Sequence, residues 1–114
     1  MSKYNIDSRL WVGSDKGMFL GEGRIALLIS IEEHGSISMA AKSMGMSYKK
    51  AWRLVDEMNK SASLPLVHQK IGGKGGGGTS LSPSGQKAIE TFQTLKKKHI
   101  KFLQSQESWL NNQL

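Results

Sequence analysis

The sequence predicts an α+β fold that is mainly α, with a short N-terminal hairpin, a helical core, a second hairpin and a long C-terminal helix. Three observations predict it. Apolar residues recur at helical spacing over 25–31, 51–58 and 89–110. Glycine and proline fall between these runs rather than inside them. A glycine-rich stretch, Gly72-Gly73-Lys74-Gly75-Gly76-Gly77-Gly78, lies between two short segments of strand character.

The elements follow in order. Residues 9–20 read Arg-Leu-Trp-Val-Gly, a polar Ser-Asp-Lys-Gly turn, then Met-Phe-Leu, as expected of a hairpin. From Arg24, the residues Ile25, Leu27, Leu28, Ile29 and Ile31 form a broad helical face, and Gly35 suits a left-handed stop. Ser36 and Ser38 are both N-cap candidates for a short helix, Met39 to Met44, containing the small pair Ala40-Ala41. Gly45-Met46 breaks it. Ser47 caps a third helix running to about Lys60, with Ala51, Leu54, Val55 and Met58 inward. Leu66 to Ile71 and Thr79 to Leu81 are the strands of a hairpin with a basic, glycine-rich tip. Ser82 is then an N-cap and Pro83 suits a first helical position, although Gly85 favours a start after it. No glycine or proline interrupts Gln86 to Leu114. The chain of 114 residues thus divides into a domain over 1–85 and a long helix over 86–114.

Composition narrows the function. Net charge is +7, and it is uneven: residues 1–35 carry −1, residues 36–80 carry +5 and residues 81–114 carry +3. A basic middle points to an acidic macromolecule as partner. There is no cysteine, which excludes disulfides, thiolate metal sites and cysteine nucleophiles. His34, His68 and His99 lack acidic neighbours at ligand spacing, so no metal or other cofactor is expected. His99 falls on the apolar stripe of the last helix and is expected to be buried or at an interface. No nucleophile–base–acid set is apparent, and an enzyme is not expected. Gly73, Gly75 and Gly78 match G-x-G-x-x-G formally, but Thr79 and Ser80 follow where a helix is required. Lys74 is followed by glycine, which rules out a Walker A loop. With no membrane-length apolar run and no signal-peptide core, the cytoplasm is the expected location.

A short helix, a tight glycine turn, a basic helix and a glycine-tipped hairpin make up a winged helix-turn-helix. Ala41 supplies the small residue where two helices cross, and Gly45 the positive φ of the turn. The following helix presents Ser47, Tyr48, Lys49, Lys50 and Arg53 outward in its first turns, where a major groove is read. Ser36, Ser38 and Ser47 can add contacts to phosphate, and Lys70, Lys74 and Thr79 of the wing can touch the backbone or minor groove. Trp52 is expected to pack against a neighbouring helix. Asp56 and Glu57 repel phosphate, so only the first half of the helix is expected to enter the groove. Double-stranded DNA is therefore the expected partner. Two other classes fit the basic face: an architectural DNA-binding protein of low specificity, and a module binding an acidic protein.

Ile89, Phe92, Leu95, Phe102, Leu103, Trp109 and Leu110 form a stripe on the last helix, expected to pair two copies into a homodimer.

Gly23-Arg24-Ile25, Gly35-Ser36-Ile37-Ser38, Ala40-Ala41, Met44-Gly45-Met46-Ser47-Tyr48-Lys49 and Ala51-Trp52 resemble the DNA-binding domain of ModE-type molybdate-responsive transcriptional regulators. Residues 72–78 followed by Leu81-Ser82-Pro83-Ser84-Gly85 are similar to that family's wing and its exit. The resemblance spans roughly residues 9–95, within a wider kinship to LysR-type winged helices. It implies a dimeric DNA-binding domain, usually followed by molybdate-binding modules. Nothing after the long helix in these 114 residues can form such a module, so molybdate binding by this chain is not expected.

Overall fold

Helix α1, Glu22–His34, is the centre of the domain in a computed structural model that describes residues 3–70 and 78–114. Leu27, Leu28 and Ile31 on α1 are fully buried, and Ile25 nearly so. Gly35 ends the helix at φ 70°, with its N–H bonded to the Ile31 carbonyl at 2.8 Å. A side chain at that φ is strained, which is why glycine stands there.

Strands β1 (Trp11–Ser14) and β2 (Gly17–Gly21) precede α1 as an antiparallel hairpin with a register shift between Val12 and Gly13. Helix α2 spans Ile37–Ser43 and α3 spans Tyr48–Ser61. Sequence reading starts α2 at Met39. The structure starts it two residues earlier, because Ser36 is the cap, accepting from the Met39 N–H at 2.9 Å, and Ile37 enters the core.

Strands β3 (Val67–Lys70) and β4 (Gly78–Leu81) form the second hairpin, pairing Val67 with Leu81 and Lys70 with Gly78. Asn59 of α3 fastens this hairpin. Its Oδ1 accepts from the N–H groups of Leu66 and Val67 at 2.8 and 3.2 Å, and its Nδ2 donates to the Val67 carbonyl at 3.2 Å. One amide thus satisfies backbone groups at the strand's start.

Helix α4 runs from Pro83 to Gln113, 31 residues, or about 46 Å at 1.5 Å per residue. Its start corrects the expected beginning after Gly85. Ser82 caps it, accepting from the Gly85 N–H at 3.1 Å, and Pro83 takes the first turn. Gly85 is inside the helix because α4 passes close to Leu66, the residue before β3: a Cβ there collides with the Leu66 carbonyl oxygen. That oxygen already accepts from the Ser82 N–H and is held by backbone. Gly85→Ala is therefore expected to lower stability by about 1–3 kcal/mol through overpacking, against the usual gain of alanine in a helix. Denaturant melts of both forms check this; a stabilised variant contradicts the close approach.

The apolar stripe of α4 divides into three parts. Ile89 and Phe92 are buried with α1 in the core, at 8% and 1% exposure, which corrects their expected place on a free stripe. Leu103 and Leu110 are half-buried, on the part of α4 along which residues 3–8 run antiparallel. There Asn111 Oδ1 accepts from the Lys3 and Tyr4 N–H groups, Glu107 accepts from the Ile6 N–H, and Ser8 bonds His99 Nε2 at 2.6 Å. His99 is thus only partly covered, in a polar contact with the chain's own N-terminal segment. Leu95, Phe102 and Trp109 remain exposed, at 41%, 59% and 60%.

Candidate nucleic-acid interface

Two helices meet here at a tight turn. Gly45 takes φ 65°, its N–H bonds the Lys42 carbonyl at 3.2 Å, and the Met46 N–H bonds the Ala41 carbonyl at 3.0 Å. Ala40, Ala41 and Ala51 are fully or almost fully buried, and their small size lets α2 and α3 approach. Ser47 Oγ accepts from the Lys50 N–H at 3.1 Å and fixes where α3 begins.

Ala51, Val55 and Met58 anchor one side of α3. At about 100° per residue, the opposite side carries Lys49, Arg53, Asp56 and Lys60. Lys49 and Arg53 are exposed in the first half of the helix and form the centre of the outward face. Lys50 is exposed to one side of them, on the rim of a hollow of about 510 Å³ shared with Arg9, Trp11, Met18, Arg24 and Leu54. Tyr48 and Trp52 lie to the other side, at 52% and 47% exposure. Trp52 is therefore not packed away as expected. It borders a hollow of about 230 Å³ between α3 and β3, with Ile37, Asn59 and Gln69.

A neighbouring hollow of about 270 Å³ brings together Ser36, Ser38, Tyr48, Gln69 and Thr79. Four of these are candidates from the sequence; Gln69 is not. Thr79 is 9% exposed, and its N–H is spent on the Gly35 carbonyl at 2.8 Å. That bond ties the hairpin to the end of α1, so Thr79 sits in the wall of the hollow rather than on a free rim. The backbone of Lys70 is in β3. Lys74 lies outside the described residues.

The acidic residues of α3 are paired. Asp56 bonds Lys60 at 2.9 Å, which raises the Lys60 ammonium above the usual lysine range. Glu57 accepts from Arg24 of α1 and from Arg53, each at 2.8 Å. Those two hydrogen bonds, Arg24's first, hold the Glu57 carboxyl below the ordinary glutamate range. Sequence reading missed the link to Arg24 because the two residues are 33 positions apart; the only signal was an arginine inside an otherwise apolar helix face. Among the described residues no group of three or more histidine, aspartate or glutamate side chains is placed to hold a metal ion, and no helix is long and apolar enough to cross a membrane.

A helical core whose second and third helices meet at a glycine turn, followed by a two-stranded hairpin packed beside the third helix, is a winged helix-turn-helix. The chain belongs to the bacterial regulatory helix-turn-helix proteins of the lysR family, whose pattern it matches over residues 23–86. Within that family it is similar to molybdenum-related proteins. It is 43% identical over 95 residues to the molybdenum-pterin-binding protein MopB of Rhodobacter capsulatus, covering 83% of this chain and 35% of the relative. It is 41% identical over 86 residues to the molybdenum transport protein ModE of Herbaspirillum seropedicae, 75% of this chain and 32% of the relative. It is 45% identical over 78 residues to the DNA-binding transcriptional dual regulator ModE of Escherichia coli K12, 68% of this chain and 30% of the relative. The resemblance to ModE-type DNA-binding domains is therefore borne out. The matched part is about a third of each relative's length.

Proposed function

We propose that the chain binds double-stranded DNA sequence-specifically as the reading domain of a transcriptional regulator, acting in the cytoplasm. Helix α3 enters the major groove, and the hairpin of β3 and β4 follows the neighbouring backbone. The observation that carries this reading is the outward face of α3. Lys49 and Arg53 stand exposed at its centre, with exposed Lys50 on one flank and exposed Tyr48 on the other. Cations on an exposed helix behind a tight turn suit phosphate and base edges together. The ModE name of the relatives supports genes of molybdenum uptake or use as targets. No molybdate site is proposed within these 114 residues.

Affinity for duplex DNA measured across salt concentrations tests the electrostatic part. Each neutralised phosphate contributes a slope of about −0.9 in log affinity against log salt. A clearly negative slope is expected; a flat one contradicts the reading.

Two copies are proposed to pair through α4. Leu95, Phe102 and Trp109 are seven residues apart and exposed, the spacing of one seam position in paired helices. Pairing two readers matches half-sites about one helical turn, or a multiple, apart. Truncation after Lys97 removes Phe102 and Trp109 but also the anchor of residues 3–8, so Phe102→Ser/Trp109→Ser is the cleaner variant. Both are expected to sediment as weaker dimers and to bind a palindromic site less tightly. A full-length chain that stays monomeric at high concentration contradicts the pairing.

A further inference from the structure

Arg24 leaves α1 in its first turns with its side chain only 11% exposed. Its Nη2 donates to Glu57 Oε1, and its Nη1 is buried with no hydrogen-bond partner among the described residues. Glu57 is thus the carboxylate that a buried guanidinium depends on, and taking it away leaves that charge uncompensated. Glu57 Oε2 accepts in turn from Nη1 of Arg53, which is exposed on the outward face of α3. An ordinary pair of exposed residues one helical turn apart contributes little, because both side chains must be ordered. Here one member is already fixed from below by α1.

The consequence falls on Arg53. With Nη1 given to Glu57, its Nε and Nη2 remain for a planar two-point contact, the geometry that matches O6 and N7 of guanine. A carboxylate at the other end of the guanidinium repels a phosphate placed there. We propose that Glu57, anchored by Arg24, is a positioning residue that turns Arg53 away from the DNA backbone and toward a guanine edge, and so sets base preference at one position of each half-site. This rests on the reading of α3 as the groove-entering helix.

Binding-site selection and salt titration on the wild-type chain, Glu57→Gln and Arg53→Lys test it. The wild type is expected to prefer guanine at one position by roughly 5- to 150-fold, the range of a good two-point contact. Glu57→Gln frees Arg53 for phosphate. Preference at that one position falls by at least about fivefold, while binding to random duplex strengthens and the salt slope steepens by about 0.9. Arg53→Lys keeps the charge but loses the fork, so the same position relaxes. A merely structural Glu57 gives a different result: all sequences weaken in proportion, and that outcome overturns the proposal. So does a folded Glu57→Gln, or an Arg53→Lys, that keeps the wild-type preference. If Glu57→Gln does not fold, Arg53→Lys alone decides. A wild type that binds no duplex overturns the reading of α3 and the proposal with it, whereas selective wild-type binding with unchanged variants overturns the proposal alone.

Discussion

Phe92→Ala is expected to destabilise the domain by about 3–5 kcal/mol, the range for deleting a buried aromatic ring. Phe92 is 1% exposed and is among the largest fully buried side chains, with Leu27, Leu28, Ile31 and Met58. It is where α4 joins the core, so its loss leaves a cavity and loosens the helix that carries the proposed dimer seam. Against a total of about 5–15 kcal/mol for a domain, this leaves the variant close to unfolding. Denaturant melts check it. Trp109→Ala on the same helix, at 60% exposure, is the control: monomer stability should change within about 0.5 kcal/mol. Equal losses at the two positions contradict the division of the stripe.

Lys49→Ala/Arg53→Ala is expected to cost about 2–6 kcal/mol of binding to a preferred duplex, if each residue makes one base contact worth about 1–3 kcal/mol. Both residues are exposed, and the one ion pair lost, Arg53 with the partly exposed Glu57, is an i,i+4 pair, so the variant should melt within about 1 kcal/mol of the wild type. Binding to random duplex weakens less, through lost phosphate attraction alone, and the salt slope becomes shallower. Titration of both duplexes separates the two effects. A variant with wild-type affinity for the preferred duplex removes α3 from the interface.

Most of the fold is legible in the sequence because local chemistry and tertiary packing agree. Gly35 and Gly45 take the positive φ their places demand, and Ser36, Ser47 and Ser82 all serve as caps. Most of the inward face of α3 follows from period alone: Ala51, Val55 and Met58 are buried as spaced, while Leu54, also expected inward, is only half-buried at the edge of the core. Misreadings arise where a distant segment decides. Gly85 argues locally against a helix, yet the Leu66 carbonyl just before β3 comes so near that only glycine fits. Ile89 and Phe92 share the period of Leu95 and Phe102, and periodicity cannot say that α1 ends its cover between them. His99 is read as apolar-stripe company, but Ser8, 91 positions away, meets its ring.

The outward face of α3 is legible for a related reason. A helix placed by Ser47 and turned by its buried residues leaves little freedom to Lys49, Lys50 and Arg53. Trp52 is misplaced because aromatic character suggests burial, whereas the hollow between α3 and β3 leaves one side of the ring open. The Arg24–Glu57 link is invisible in sequence, since it joins two helices across 33 positions, whereas Arg53 and Glu57 stand at the ordinary i,i+4 spacing of one helix.

Selection of bound fragments from a random duplex pool by the full chain tests the central claim most directly, that α3 reads sequence in the major groove. The expected result is an enriched pair of inverted half-sites, separated by about one helical turn or a multiple of it, with enrichment lost in Lys49→Ala/Arg53→Ala. A pool that emerges unenriched at a salt concentration where the chain binds duplex would contradict it.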